Sequence, residues 1–211
     1  AADLQTGNVL WKRQGIGISS RHYGDAEYVI VMVGQEQTEL RYDVLSGQNG
    51  KLVNTFKLNQ GETPIFAFER YLLTLTVEAD QSRLLQLKDL TNAEAVWSQK
   101  LSENSTYTLG QNNELVMMHQ DGTIAFLDLM TGEKKFEVKG QPAEKIINLL
   151  VLRNSRQYLV FVSLPYVPPD RVDGNRNRVV FRSLSLTSYL FNGMVYSIDR
   201  QSGELMWSLP L

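Results

Sequence analysis

"IDRQSGELMWSLPL", residues 198–211, decides the fold, because its chemistry is used more than once. An apolar start, an Asp, a Ser-Gly or Thr-Gly turn and an aromatic return as "ADLQTGNVLW" (2–11) and "LDLMTGEKKF" (127–136). "KDLTNAEAVW" (88–97) keeps the Asp and the Trp. The aromatic lies eight residues after the Asp each time: Asp3 to Trp11, Asp89 to Trp97, Asp128 to Phe136, Asp199 to Trp207. "YDVLSGQNGKLVNTF" (42–56) reads as a further copy running from Asp43 to Phe56, with five extra residues in its turn.

On that alignment the aromatics follow one another at intervals of 45, 41, 39 and 71 residues. The first three match the ~40–50 residues of a four-stranded propeller blade, and the last holds a blade plus an insertion. Gly7, Gly132 and Gly203 stand where a tight turn needs positive φ, with Asn92 as the expected substitute in the third copy. Each Asp is placed to accept backbone N–H bonds from its turn. Five such carboxylates spread through a repeat cannot converge on one catalytic or metal site. The aromatics, Trp97, Phe136 and Trp207 among them, are expected between blades.

Between the turns the chain reads as strands. "EYVIVMV" (27–33), "RYLLTLTV" (70–77), "ELVMMH" (114–119) and "QYLVFVSL" (157–164) are apolar and β-branched. "TELRYDV" (38–44), "RLLQLKDL" (83–90) and "TIAFLDL" (123–129) alternate and lead into the turns. "PAEKIINLLVLR" (142–153) reads as loop into strand. The expected fold is all-β: antiparallel four-stranded blades, four complete and one partial, in a single domain over 1–211.

Bulk composition narrows function. A net charge of −2 gives no field that would recruit nucleic acid. Absence of Cys removes disulfides, thiolate metal sites and Cys nucleophiles. No apolar run approaches the ~20 residues of a membrane span, and "AADLQTG" (1–7) has no signal-peptide character. His22 and His119 lack metal-ligand spacing and read as surface or strand-end residues. "NST" (104–106) matters as a glycosylation sequon only in a eukaryotic secretory setting.

The pattern Asp-x-x-(Thr/Ser)-Gly-x-x-x-Trp resembles the repeat of PQQ-like, quinoprotein-type β-propellers over nearly the whole chain. WD-type propellers fit less well: no Gly-His precedes the strands and no Trp-Asp ends them. The resemblance implies a scaffold, like the propeller lipoprotein of the outer-membrane β-barrel assembly machinery, in a periplasmic or extracytoplasmic setting. It implies protein or peptide partners. Its alternative is an oxidoreductase using pyrroloquinoline quinone, with a cofactor site largely outside this chain. No ligand motif for that quinone or its Ca²⁺ occurs here, so no catalytic, cofactor or metal residue is assigned. Starting inside a blade and ending just after its last blade's fourth strand, the chain is expected to form part of a six- to eight-bladed ring.

One stretch escapes the repeat, the insertion at about 165–192, "PYVPPDRVDGNRNRVVFRSLSLTSYLFN". Arg171, Arg176, Arg178 and Arg182 make it basic, and Tyr166, Tyr189 and Phe191 add contact area. Asp170, Asp173, Asn175 and Asn177 fail the EF-hand spacing. Two readings stand: an extended hairpin with a solvated basic tip, or a partner-binding loop with Tyr166, Arg171, Arg176, Arg178 and Arg182 as contacts. The alternation of "FRSLSLTSYLF" (181–191) adds the expectation of a packed second half, through Leu184, Leu186, Tyr189 and Leu190, behind a mobile tip at Asp170–Arg178.

Overall fold

The computed structural model describes residues 1–2, 5–14, 22–33, 41–59, 61–92, 94–110, 112–165 and 192–211. Among these there is no helix; there are four antiparallel sheets of four strands, each a simple meander. The chain divides into two compact units.

The first unit comprises Ala1–Glu103 and Met130–Gly132. Its sheets are β1 (His22–Gly24), β2 (Tyr28–Val33), β3 (Arg41–Ser46) and β4 (Leu52–Lys57), then β5 (Glu62–Phe68), β6 (Tyr71–Val77), β7 (Arg83–Asp89) and β8 (Ala95–Leu101). Ile30, Tyr42, Val44, Phe56, Leu72 and Leu90 share one buried cluster.

The second unit comprises Asn104–Leu129 and Glu133–Leu211. It holds β9 (Thr106–Leu109), β10 (Glu114–Met118), β11 (Thr123–Asp128) and β12 (Lys134–Lys139), then β13 (Asn148–Arg153), β14 (Gln157–Ser163), β15 (Gly193–Asp199) and β16 (Leu205–Pro210). Every residue of β10 is buried: its apolar run Leu115–Met118, and also Glu114, which opens it. Its core joins Val116, Phe126, Tyr158, Val160, Tyr196 and Ile198. The segment 142–153 is loop and then strand, as read.

The third and fourth strands of every sheet meet through one turn. The residue at its start donates its N–H to the carbonyl five residues on: Ser46 to Lys51, Asp89 to Glu94, Asp128 to Glu133 and Asp199 to Glu204, at 2.8–2.9 Å. One outer-strand residue is then skipped in the pairing, because Leu45 faces Leu52 and Val44 faces Asn54. The same bulge separates Ala95 from Trp97, Lys134 from Phe136 and Leu205 from Trp207.

This geometry corrects the second copy. Its turn has no extra residues: Ser46 takes the aspartate's place, Gly50 the glycine's, and Asn54 the aromatic's. Asp43 lies inside β3, 1% exposed, paired with Arg13 at 2.5 Å and accepting from the Thr55 hydroxyl at 2.9 Å. Phe56 is a core residue stacked on Tyr42 at 5.5 Å. Placed this way, the repeat positions Trp11, Asn54 and Trp97 are evenly 43 residues apart.

The third copy also departs from expectation. Asn92 is not among the described residues with positive φ. Its side-chain oxygen instead accepts the Glu94 N–H at 2.9 Å. The glycine's place there belongs to Ala93, which lies outside the described residues.

Candidate interaction surface

The residues expected to contact a partner, Tyr166, Arg171, Arg176, Arg178 and Arg182, lie outside the described residues, as does the rest of 166–191. What is described is the base of that segment. Ser163 ending β14 pairs with Gly193 opening β15, and the Leu164 N–H donates to the Asn192 carbonyl at 3.1 Å.

The turn aspartates do what their chemistry suggests. Asp199 Oδ1 accepts N–H bonds from Gln201 at 2.9 Å and Ser202 at 2.8 Å, which hold its carboxyl below the usual carboxylate range. Asp89 accepts from the Thr91 N–H and hydroxyl. Other carboxylates are tied up inside the units. Burial pushes the Glu62 carboxyl up, but Lys88 at 2.6 Å and further hydrogen bonds outweigh it and hold it low. Glu114 accepts the Tyr158 hydroxyl at 2.6 Å, and burial, then that carboxylate, push the Tyr158 phenol up. His119 ends a strand with its ring nitrogen 3.2 Å from Ser105 Oγ. Among the described residues no three His, Asp or Glu side chains are grouped to hold a metal ion.

The aromatics follow a rule that the sequence does not spell out. Each packs on the glycine of the next copy's turn. A Cβ on Gly50 would come 2.7 Å from the Trp11 ring, on Gly132 2.7 Å from Trp97, and on Gly203 2.7 Å from Phe136. These glycines hold φ of +69°, +71° and +73°. Both the backbone and the neighbouring ring demand glycine. Trp11 also donates its indole N–H to the carbonyl of Gly47, one residue past the turn's start, at 2.7 Å. In the second copy Asn54 donates its side-chain amide to Leu90, the same turn position, at 2.9 Å. An amide replaces the indole where the next turn lacks its glycine.

Trp207 breaks the rule. Its counterparts Trp11, Trp97 and Phe136 are half-buried, whereas Trp207 is 44% exposed. The expectation that it lies between blades is not met. All six residues of β16 are exposed, Leu205, Met206 and Leu209 included. β16 is also the edge of its sheet. Its spacing was legible in the sequence; its exposure was not, because the repeat letters are the same at covered and exposed positions.

Four antiparallel four-stranded meanders, each with the same bulged turn between its third and fourth strands, define an all-β chain of propeller-type blades. No family model and no curated protein matches the chain. Among solved structures it is similar to BamB from Moraxella catarrhalis at 17% identity and TM-score 0.43, covering 99% of this chain and 53% of that one. The computationally designed protein Ika8 matches at 13% identity and TM-score 0.51, over 97% of this chain and 53% of that one. A europium-containing methanol dehydrogenase matches at 11% and 0.48, over 88% and 40%. The likeness to Ika8 is one of fold alone, and the chain spans about half the length of these structures or less. Among the described residues no helix is long and apolar enough to cross a membrane.

Proposed function

We propose that the chain is a non-catalytic β-propeller scaffold that binds protein or peptide partners, in a periplasmic or extracytoplasmic envelope assembly. We read it as a single domain over 1–211 in which the insertion at about 165–192 is the partner-binding region, through Tyr166, Arg171, Arg176, Arg178 and Arg182. The observation that supports the reading is the repeat-built scaffold itself: four meander sheets with one common turn, whose described aspartates Asp89 and Asp199 are bound into their own turns. The compartment follows the repeat family that the sequence resembles.

Selection from a displayed peptide library tests this. Peptides should be enriched whose binding weakens at least tenfold on charge reversal at Arg176 and Arg178. A library that yields no peptide sensitive to those changes sinks the reading. In parallel, titration with pyrroloquinoline quinone and Ca²⁺ should leave absorbance and melting temperature unchanged. A stoichiometric shift in both would move the protein to the oxidoreductase class.

A further inference from the structure

We propose that the first unit carries a further binding surface, an aromatic column on β5 and β6 that takes an arginine side chain of a basic peptide. A bulge builds the column. β5 is an edge strand of its sheet, and its pairing with β6 skips Ile65: Pro64 faces Thr74, but Phe66 faces Leu73 and Phe68 faces Tyr71. Without that extra residue, strict alternation would set Phe66 opposite Leu72, which is buried in one cluster with Ile30, Tyr42 and Val44 of the neighbouring sheet. Among the described residues no other first strand, β1, β9 or β13, has such a skip. Bulges at sheet edges re-aim side chains, and here the two re-aimed residues are both aromatic.

Their rings stack. Phe66 lies 5.5 Å from Phe68 with 23° between the planes, Phe68 lies 5.9 Å from Tyr71, and the Arg70 guanidinium stands 5.4 Å over the Tyr71 ring. One end of the column is therefore capped by a guanidinium of the chain's own. The other end is Phe66, 42% exposed, whereas the core residues Phe56 and Phe126 are 7% and 0% exposed. An open ring face attracts a cation, and a planar guanidinium lies flat on it, as Arg70 does at Tyr71. Charge selects the partner. Asp25 accepts the N–H groups of Glu27, Tyr28 and Glu69, which ties the β1–β2 turn to the β5–β6 turn. Glu27 and Glu69 are exposed, and no described group pairs with their carboxylates. Arg70 beside them is already paired with Asp89 at 3.3 Å. An acidic rim next to an open aromatic face suits a basic peptide and repels an acidic one. Its charge is opposite to that of the insertion at about 165–192.

The test is a titration of the 211-residue chain with a peptide alternating arginine and serine, read by amide chemical shifts in nuclear magnetic resonance. Shifts should concentrate at residues 65–71 and at the 25–28 turn. Phe66→Leu keeps the apolar bulk but removes the π face, and should weaken binding about fivefold, the scale of one exposed cation–π contact. Phe66→Trp should bind at least as tightly as the wild type. Glu27→Gln combined with Glu69→Gln should weaken binding and flatten its salt dependence. The same peptide with lysine in place of arginine should bind more weakly, because an ammonium does not stack flat on a ring. An absence of shifts at 65–71 overturns the inference, as does an affinity unchanged by Phe66→Leu or equal for the lysine peptide. A neutral oligosaccharide that moves these amides where the arginine peptide does not would assign the surface to a glycan and overturn it too. Both carboxylates are exposed, so their variant still decides the matter should Phe66→Leu disturb the fold. Charge reversal at Arg176 and Arg178 should leave this binding unchanged. If the arginine peptide fails while library peptides remain sensitive to those two positions, the scaffold reading stands and this surface falls; the reverse result keeps the surface and removes the insertion.

Discussion

Phe136 and Trp207 occupy the same position of the same repeat, directly after the bulged residue, in adjoining copies of one unit. Phe136 is stacked on Phe126 at 4.6 Å, lies 6.0 Å from Tyr158 and covers Gly203. Trp207 covers nothing described and stands open to water. The motif therefore specifies an orientation, not a burial. Burial comes from the neighbouring turn, which is a property of the next copy. One side-chain position serves in two settings, packed on a turn glycine at Phe136 and exposed at Trp207.

The largest expected effect separates these two uses directly. Phe136→Ala should cost about 3 kcal/mol, because it opens a cavity between Phe126, Tyr158 and the Gly203 turn. Trp207→Ala, measured where the chain is monomeric, should change stability by less than about 0.5 kcal/mol, as exposed substitutions do. Urea denaturation of both reads the difference. Equal losses would mean that Trp207 is covered by the chain's own fold.

A second pair compares two aspartates that the sequence presents as equivalents. Asp43→Ala should cost about 2–3 kcal/mol, less than a fully buried pair since Arg13 keeps partial access to water. Asp199→Ala removes turn hydrogen bonds at an exposed site and should cost much less. Its pH signature has a definite sign. The folded carboxyl titrates lower than the unfolded one, so its contribution is complete above the unfolded value near ~3.9 and is lost as pH falls through the folded value. Acid titration of wild type against Asp199→Ala should show the two converging in stability at low pH; divergence would contradict the turn assignment.

The third pair tests the glycines. Gly203→Ala meets both a left-handed backbone and the Phe136 ring, and should cost roughly 2–3 kcal/mol. Gly7→Ala meets only the backbone strain, about 1 kcal/mol. Thermal melts that rank them the other way would remove the aromatic-on-glycine rule.

How far the sequence carried this can be read from the second copy. "YDVLSGQNGKLVNTF" offers an Asp and an aromatic in the right order, so matching letters selects Asp43 and Phe56 and invents a longer turn. The hydrogen bonds select Ser46, Gly50 and Asn54 instead, at the common spacing. The 43-residue interval would have found them, had the period been trusted over residue identity. Strand order, the Asp turns and the glycine positions of the other copies were legible because each is local. The partner of each aromatic was not, since it belongs to a turn some 40 residues on and leaves no mark at the aromatic itself. The basic insertion gave composition without geometry, and its contacts remain a proposal.

The smallest effect asks whether Asn54 performs the indole's task. Its side-chain N–H reaches the Leu90 carbonyl at 2.9 Å, as the Trp11 indole reaches Gly47 at 2.7 Å, one residue past the start of the turn in both cases. Only the hydrogen bond is common to the two; the ring-on-glycine contact is absent from the Asn54 pair as described. Asn54→Ala should therefore cost about 1 kcal/mol, the usual net value of one hydrogen bond, against about 3 for Phe136→Ala. Asn54→Asp is the sharper variant. It keeps the size but replaces the donor with a charged acceptor facing a carbonyl, and so should destabilise more than Asn54→Ala. If Asn54→Asp is as stable as wild type in urea, the amide is not donating to Leu90, and the equivalence of Asn54 with the repeat's aromatics fails with it.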